Sequence, residues 1–167
     1  GIDNIEKSVL PLNEKPVSIA CCTSFVTVSG SSGRVFCANV YYLDEVGGKL
    51  TFDIMKELEG KEIIEVSGVW AHCLAVCKDG RVFVRGSDDY SFGQLGLGKE
   101  RSSNNEFIEI PGLKNKIISA SAGSGHSLFI TSEGKVLACG SNNLGQLLIT
   151  EPSSVIYTPV ETLIKGG

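Results

Sequence analysis

The stretch SAGSGHSLFITSEGKVLACGSNNLGQL, residues 121–147, decides the fold because a second copy of it occurs 54 residues earlier. The earlier copy, SGVWAHCLAVCKDGRVFVRGSDDYSFGQLGLG, begins at Ser67. His72 aligns with His126, and the GQL tripeptides align after a two-residue difference in loop length. Self-similarity at a fixed spacing indicates a structural repeat, so each residue has to be interpreted by its place in that repeat.

A third, degenerate copy precedes these two. The stretch PVSIACCTSFVTVSGSSGRVFCAN, residues 16–39, lies 47 residues before the middle copy. It keeps Gly-Arg-Val-Phe at residues 33–36, but Phe25 replaces the histidine and no GQL follows. We therefore divide the chain into an outer strand of a preceding unit, one degenerate repeat and two clear repeats, at residues 1–14, 15–60, 61–113 and 114–167.

Each copy predicts four short strands. In the middle copy an Asp-Gly pair at 79–80 separates two β-rich runs, which is a hairpin signal. A fourth β-rich run ends each unit, as KLTFDIM from Lys49, EFIEIPG from Glu106 and TPVETL from Thr158. Four strands in a unit of roughly 50 residues are typical of propeller blades, so we expect an all-β segment of about three four-stranded blades.

The two clear copies also carry a family pattern. The order I-x-x-small-S-(A/G)-G-x-x-H-S-L, then (D/E)-G-(K/R)-V, then G-S-N-N-x-G-Q-L resembles the RCC1 repeat, named for the regulator of chromosome condensation. The resemblance is strongest over residues 61–150 and implies an RCC1-like β-propeller, usually with seven blades. Three blades would form an open arc with two uncovered faces. We therefore expect the remaining propeller blades, or a second copy of the chain, to cover them.

Composition restricts the classes of partner. The formal net charge of −4 does not supply the dense basic surface that phosphates require, so this segment alone does not predict contact with nucleic acid or nucleosomes. The sequence shows no signal peptide and no apolar run near the 18 residues of a membrane span. None of the six cysteines forms a CxxC pair. We expect a reduced intracellular protein, cytoplasmic or nuclear, without membrane contact.

No catalytic residue, metal or cofactor is predicted. His126 and Ser127 suggest a reactive dyad, but Cys73 takes the serine position in the middle copy, and a dyad normally needs a third orienting group. The stretch GQLGLGKE approximates a phosphate loop, yet Glu100 stands where a magnesium-binding serine or threonine belongs. Cys73 and Cys77 share a strand face, but a structural zinc site needs four ligands.

The function predicted first is a non-enzymatic module that binds a protein partner through its loops, because a propeller determines a shape rather than a reaction. The alternative, implied by the resemblance, is guanine-nucleotide exchange on a Ran-type small GTPase in association with chromatin. In the founding exchange factor of the family, histidines of this repeat position and acidic residues of the loop after Gly-Ser line the surface that meets the GTPase. The matching positions and their loop neighbours are His72, Asp88, Asp89, Tyr90, His126, Asn142 and Asn143.

Overall fold

The structure, a computed structural model, describes residues 10–40, 51–88, 91–99, 103–113 and 115–165. These residues form three four-stranded antiparallel sheets, each with its strands in sequence order, which confirms the predicted all-β fold. Among them, no helix is long and apolar enough to cross a lipid bilayer.

The first sheet contains β1 (Pro16–Cys21), β2 (Phe25–Gly30), β3 (Val35–Asn39) and β4 (Asp53–Ile54). The second contains β5 (Ile63–Val69), β6 (His72–Cys77), β7 (Val82–Ser87) and β8 (Ser103–Glu109). The third contains β9 (Ile117–Ala122), β10 (His126–Thr131), β11 (Lys135–Ser141) and β12 (Val155–Lys165).

The fourth strands differ between the sheets. Strand β8 begins slightly before the predicted EFIEIPG segment and ends at Glu109, and β12 extends the TPVETL segment at both ends. In the first sheet only Asp53 and Ile54 pair with β3, so the strand expected from Lys49 is much shorter in the described residues. The outer strand expected in residues 1–14 lies mostly outside the described residues, and Pro11–Asn13 forms a 3₁₀ turn.

The sheets pack face to face, and β6 shows how. All six of its residues are buried, because the strand lies between two neighbouring sheets. Leu74 and Val76 belong to the core shared with the third sheet. Cys73, Ala75 and Cys77 alternate with them and belong to the core shared with the first sheet. The two cysteines therefore lie on one strand face and pack as small apolar groups.

The first strands β1, β5 and β9 lie side by side, and main-chain hydrogen bonds join each sheet to the next. The Ile63 N–H donates to the Gly33 carbonyl at 3.2 Å, and the Ile117 N–H donates to the Gly80 carbonyl at 3.1 Å. Gly80 has a φ of +97°, and a Cβ there would lie 2.7 Å from the Lys116 Cα. The glycine of the hairpin turn thus allows the next sheet to approach closely.

The antiparallel order places the chain connections at two opposite ends of the sheets. One end carries the turns 22–24, 70–71 and 123–125 and the loops that follow β3, β7 and β11. We call this end the loop face. The other end carries the tight turns 31–34, 78–81 and 132–134, and we call it the turn face. Residues that follow β7 and β11 are therefore brought to the same end as the residues that begin β6 and β10.

Candidate functional site

The described members of the predicted site all lie at the loop face. His72 and His126 begin β6 and β10, and Asp88 and Asn142 directly follow β7 and β11. Asn143 is the next residue and is exposed. The predicted residues Asp89 and Tyr90 lie outside the described residues. The topology thus brings the described residues to one face, but their burial and hydrogen bonding differ.

His72 joins the second sheet to the third. Its side chain is 0% exposed, and its Nε2 lies 2.9 Å from the Ser127 Oγ. The Ser127 hydroxyl donates to the Gln94 carbonyl at 2.8 Å. Because a serine has a single hydroxyl hydrogen, His72 has to donate its Nε2–H to Ser127 and is therefore the Nε2–H tautomer. A Ser–His pair does exist, but it is a buried bridge between blades formed by partners 55 residues apart.

The environment of His72 keeps its imidazole neutral. Burial lowers the pKa of His72 to about 4, and the nearby His126 acts in the same direction. The His72 Nδ1 has no hydrogen-bond partner within the described part of the chain. Protonation would place a buried charge and an unpaired N–H there, and both are costly. At neutral pH this side chain therefore presents no positive charge to a partner.

His126 occupies the same repeat position in a more open environment. It is half-buried, because neither the first nor the second sheet covers the side of the third sheet on which His126 lies. Its ring lies directly against Gly123, where a side chain would collide with the imidazole carbons and nitrogens. Burial lowers the pKa of His126. Of the two predicted histidines, only His126 is accessible from the surface of this chain.

Asp88 and Asn142 hold the loops that follow β7 and β11. Asp88 is 3% exposed, and its carboxylate oxygens accept from the Gly93 N–H at 3.0 and 2.9 Å. The Asn142 Oδ1 accepts from the Leu147 N–H at 3.1 Å, again five residues further on. Both side chains therefore act as acceptors that close a loop. An acceptor residue directly after the Gly-Ser pair of both copies was the sequence signal for this role.

The exposed part of the loop face is the tip of the loop that Asn142 closes, together with the turn between β5 and β6. Leu144 is 92% exposed, although it is a large apolar side chain, and it was not among the predicted site residues. Its N–H donates to the Gln146 Oε1 at 2.9 Å, which fixes the backbone at the tip. Trp70, in the turn between β5 and β6, is 37% exposed on the same face. Leu144 stands directly before GQL, where the middle copy has the equally apolar Phe92, whose ring lies against Gly125 of the third sheet.

The arrangement favours contact with a protein surface. Within the described residues, no group of three or more His, Cys, Asp or Glu side chains is placed to hold a metal ion. Two shallow cavities, of about 380 and 240 Å³, lie at the turn face and are lined largely by turn residues and charged side chains. The loop face instead presents an exposed leucine on a braced loop. Such a feature suits an apolar pocket on a partner.

Comparison with known proteins supplies the family context. A family model described as the Regulator of chromosome condensation (RCC1) repeat matches residues 79–130, and a second model of that description matches residues 117–146. The chain is 37% identical over 100 residues to the human probable E3 ubiquitin-protein ligase HERC3, covering 59% of this chain and 9% of that protein. It is 26% identical over 149 residues to the X-linked retinitis pigmentosa GTPase regulator homolog of Caenorhabditis elegans, covering 86% of this chain and 10% of that protein.

Solved structures share the fold at low sequence identity. Prp20p from Saccharomyces cerevisiae, described with its binding properties to Gsp1p and histones, superposes with a TM-score of 0.69 at 14% identity. The match covers 86% of this chain and 37% of Prp20p. The chain therefore spans about a tenth of the length of the two curated relatives and little more than a third of Prp20p.

Proposed function

Residues 79–146 carry repeats of the regulator of chromosome condensation (RCC1) family, and from this premise we propose that the protein is a non-enzymatic propeller module that binds a protein partner through its loop face. The observation that carries the proposal is the exposure of Leu144, which is 92% accessible. An apolar side chain in that position is desolvated only when a partner or a further blade covers it. We expect the module to act inside the cell, in the cytoplasm or nucleus.

The loop around Leu144 is held in one conformation before binding. Asn142 joins both ends of the loop, because its Oδ1 accepts from Leu147 at 3.1 Å and its Nδ2 donates to the Ser153 carbonyl at 3.2 Å. Gln146 fixes the tip through its bond to the Leu144 N–H. A preorganised loop loses less conformational entropy on binding than a free one, so more of the contact energy appears as affinity.

We expect Leu144→Asp to weaken partner binding about tenfold or more, because it places a charge where an apolar anchor would be desolvated. Partners are captured from a cell lysate with the wild-type protein, identified by mass spectrometry and then titrated against both proteins. Ser132→Asp is the matched control, since it adds the same charge at an exposed position of the turn face. Loss of binding in Ser132→Asp and retention in Leu144→Asp would contradict the proposal.

A second candidate, guanine-nucleotide exchange on a Ran-type small GTPase, is favoured by the likeness to Prp20p, which was described with its binding to Gsp1p. Release of fluorescent GDP from such a GTPase distinguishes the two functions. Acceleration that Leu144→Asp abolishes supports exchange, whereas binding without acceleration supports the module alone. Asp88→Ala is a poor probe here, because it removes the buried acceptor of Gly93 and disturbs the loop itself.

The third sheet has one side, carrying Ile130 and Leu128, that none of the other described sheets covers. Ile130 is 42% exposed, whereas Val76, at the equivalent position of the second sheet, is 1% exposed. Leu128 is likewise partly exposed where Leu74 is fully buried. Since the third sheet is what covers Val76 and Leu74, we propose that a further blade of the same repeat covers Ile130 and Leu128. That blade comes from a longer polypeptide or from a second copy.

We expect this chain, when studied alone, to associate as its concentration rises, because the uncovered side buries apolar surface only in a contact between chains. Ile130→Glu is expected to return the solution mass, measured by light scattering, to that of a single chain. Ile118→Glu serves as the control, since Ile118 is 48% exposed and its counterpart Ile64 stays 44% exposed beside the third sheet. A single-chain mass for the wild-type protein at all concentrations would contradict the proposal.

A further inference from the structure

Two thiols from adjacent sheets meet near the loop face. Cys22 follows β1 in the first sheet and is half-buried, whereas Cys73 lies on β6 of the second sheet and is 0% exposed. The Cys22 thiol donates to the carbonyl of His72, the residue before Cys73, at 3.2 Å. The Cys73 thiol donates to the carbonyl of Leu74 at 3.6 Å. One sulfur is therefore within reach of solvent, and its neighbour is shielded.

Gly68 provides the space in which the Cys22 sulfur sits. Gly68 pairs directly with Cys73 between β5 and β6. A Cβ built on Gly68 would lie 2.8 Å from the Cys22 Sγ, too close for any side chain at that position. Residues that face each other across such a pair have Cβ atoms about 4.5–5.5 Å apart. The Cys22 sulfur therefore lies in the space that a side chain at position 68 would fill, beside Cys73 on the facing strand.

The two thiols differ in reactivity. The neighbouring Cys73 thiol and the positive charge of Arg85 lower the pKa of the Cys22 thiol, whereas burial raises it. The neighbouring Cys22 thiol, together with burial, raises the pKa of Cys73 well above its ordinary value. Thiolates are the nucleophiles in disulfide exchange, so Cys22 is the attacking thiol and Cys73 the resolving one.

We propose that Cys22 and Cys73 are a redox pair that reversibly cross-links the first and second sheets in response to a small oxidised disulfide such as glutathione disulfide. The Cys22 thiolate attacks one sulfur of glutathione disulfide, whose S–S bond breaks and releases one glutathione thiolate. Cys73 then loses its proton, attacks the Cys22 sulfur and displaces the second glutathione thiolate. Two protein thiols are oxidised, one glutathione disulfide is reduced, and the two protons pass to the two glutathione molecules released.

The cross-link would act on the loop face. Cys22 begins the turn between β1 and β2, and Cys73 follows His72, which bonds to Ser127 of the third sheet. Oxidation therefore links the first sheet to β6, the strand of the second sheet that already contacts the third sheet through His72. Disulfides in reducing compartments are usually reversible bonds of this kind.

The test incubates the native protein with increasing glutathione disulfide, blocks free thiols with iodoacetamide and digests with trypsin without reduction. We expect a linked pair of peptides that carry residues 8–34 and 62–78, about 2 Da lighter than the sum of the two peptides alkylated only at Cys21 and Cys77. Fragment-ion spectra place the bond between Cys22 and Cys73. Dithiothreitol is expected to remove the link.

Two variants and one alternative product decide the outcome. Cys22→Ser is expected to abolish the linked pair, whereas Cys21→Ser, at the exposed neighbouring thiol, is expected to retain it. Should Cys22→Ser fail to fold, the bond position in the wild-type digest decides alone. A stable glutathione adduct on Cys22 with Cys73 still free would overturn the proposal. So would full modification of Cys21 while Cys22 and Cys73 remain reduced.

Discussion

Gly86→Ala is expected to lower the free energy of unfolding by about 3–5 kcal/mol, because two separate costs add at this position. Gly86 has a φ of +137°, a conformation that L side chains rarely adopt. A Cβ there would also collide with the Ala71 carbonyl and lie 2.5 Å from the His72 Cα. These are backbone atoms of the paired strand, so they cannot move aside without opening the sheet. Urea unfolding followed by the fluorescence of Trp70, the single tryptophan, measures the loss.

Gly134→Ala is the matched control, since it changes the same residue type at a positive φ without a collision. Gly134 has a φ of +78°, and a Cβ there would meet no atom within 4 Å. We expect a loss of about 1 kcal/mol from the backbone conformation alone. Gly140, which is equivalent to Gly86, has a φ of +114° and would place a Cβ 2.5 Å from the Gly125 carbonyl. Gly140→Ala should therefore resemble Gly86→Ala, and equal losses in Gly86→Ala and Gly134→Ala would contradict the argument.

The repeat spacing predicted most of the fold for a physical reason. Gly86 and Gly140 match in the two clear copies because both permit the same close approach between strands. In the degenerate copy Asn39 stands at this place without a positive φ, so its strand pairs there in an ordinary way. The short β4 could not be predicted, because the residues before it have no counterpart in the other copies. Periodicity therefore identifies those strands whose contacts are themselves repeated.

The site was less predictable because burial depends on the neighbouring sheet rather than on the residue. His72 and His126 share a repeat position, yet one is fully buried and the other half-buried. Asp88 resembled a surface acid in the sequence, but the loop folds its carboxylate onto the Gly93 N–H. Leu144 and its counterpart Phe92 are both apolar, but Phe92 lies against Gly125 of the next sheet, whereas Leu144 is 92% exposed. Such differences arise from long-range packing.

The two contacts between adjacent sheets also differ in chemistry. Between the second and third sheets, a hydrogen-bonded chain runs from His72 through Ser127 to the Gln94 carbonyl. Between the first and second sheets, Phe25 takes the histidine position, and the Arg85 guanidinium lies 4.8 Å from the centre of its ring. A cation over an aromatic face does not depend on pH in the physiological range, whereas a histidine bridge does. The pH dependence of stability is therefore expected to arise at the contact of the second and third sheets.

Between pH 7 and pH 5 the protein is expected to lose about 2 kcal/mol of unfolding free energy through His72. The ordinary pKa of 6.5 falls to about 4 in the folded protein, chiefly because the imidazole is buried. Below pH 6.5 the imidazole of His72 is therefore protonated in the unfolded chain, whereas in the folded chain it stays neutral until about pH 4. The contribution of His72 is complete above pH 6.5 and is lost as the pH falls towards 4. Urea unfolding at pH 7, 6 and 5 measures it.

His72→Gln separates this titration from the hydrogen bond. A glutamine amide can still donate to the Ser127 Oγ, but it does not titrate, so the loss between pH 7 and 5 is expected to shrink to a small remainder. Most of that remainder comes from His126, whose pKa is also lowered by burial but whose side chain is more open to solvent. His126→Gln is therefore the matched control and should keep most of the wild-type pH dependence. The same slope in wild-type and His72→Gln proteins would show that the protonation of His72 is not coupled to unfolding. A reversed ranking of the two variants would instead place the coupled proton on His126, at the uncovered side of the third sheet.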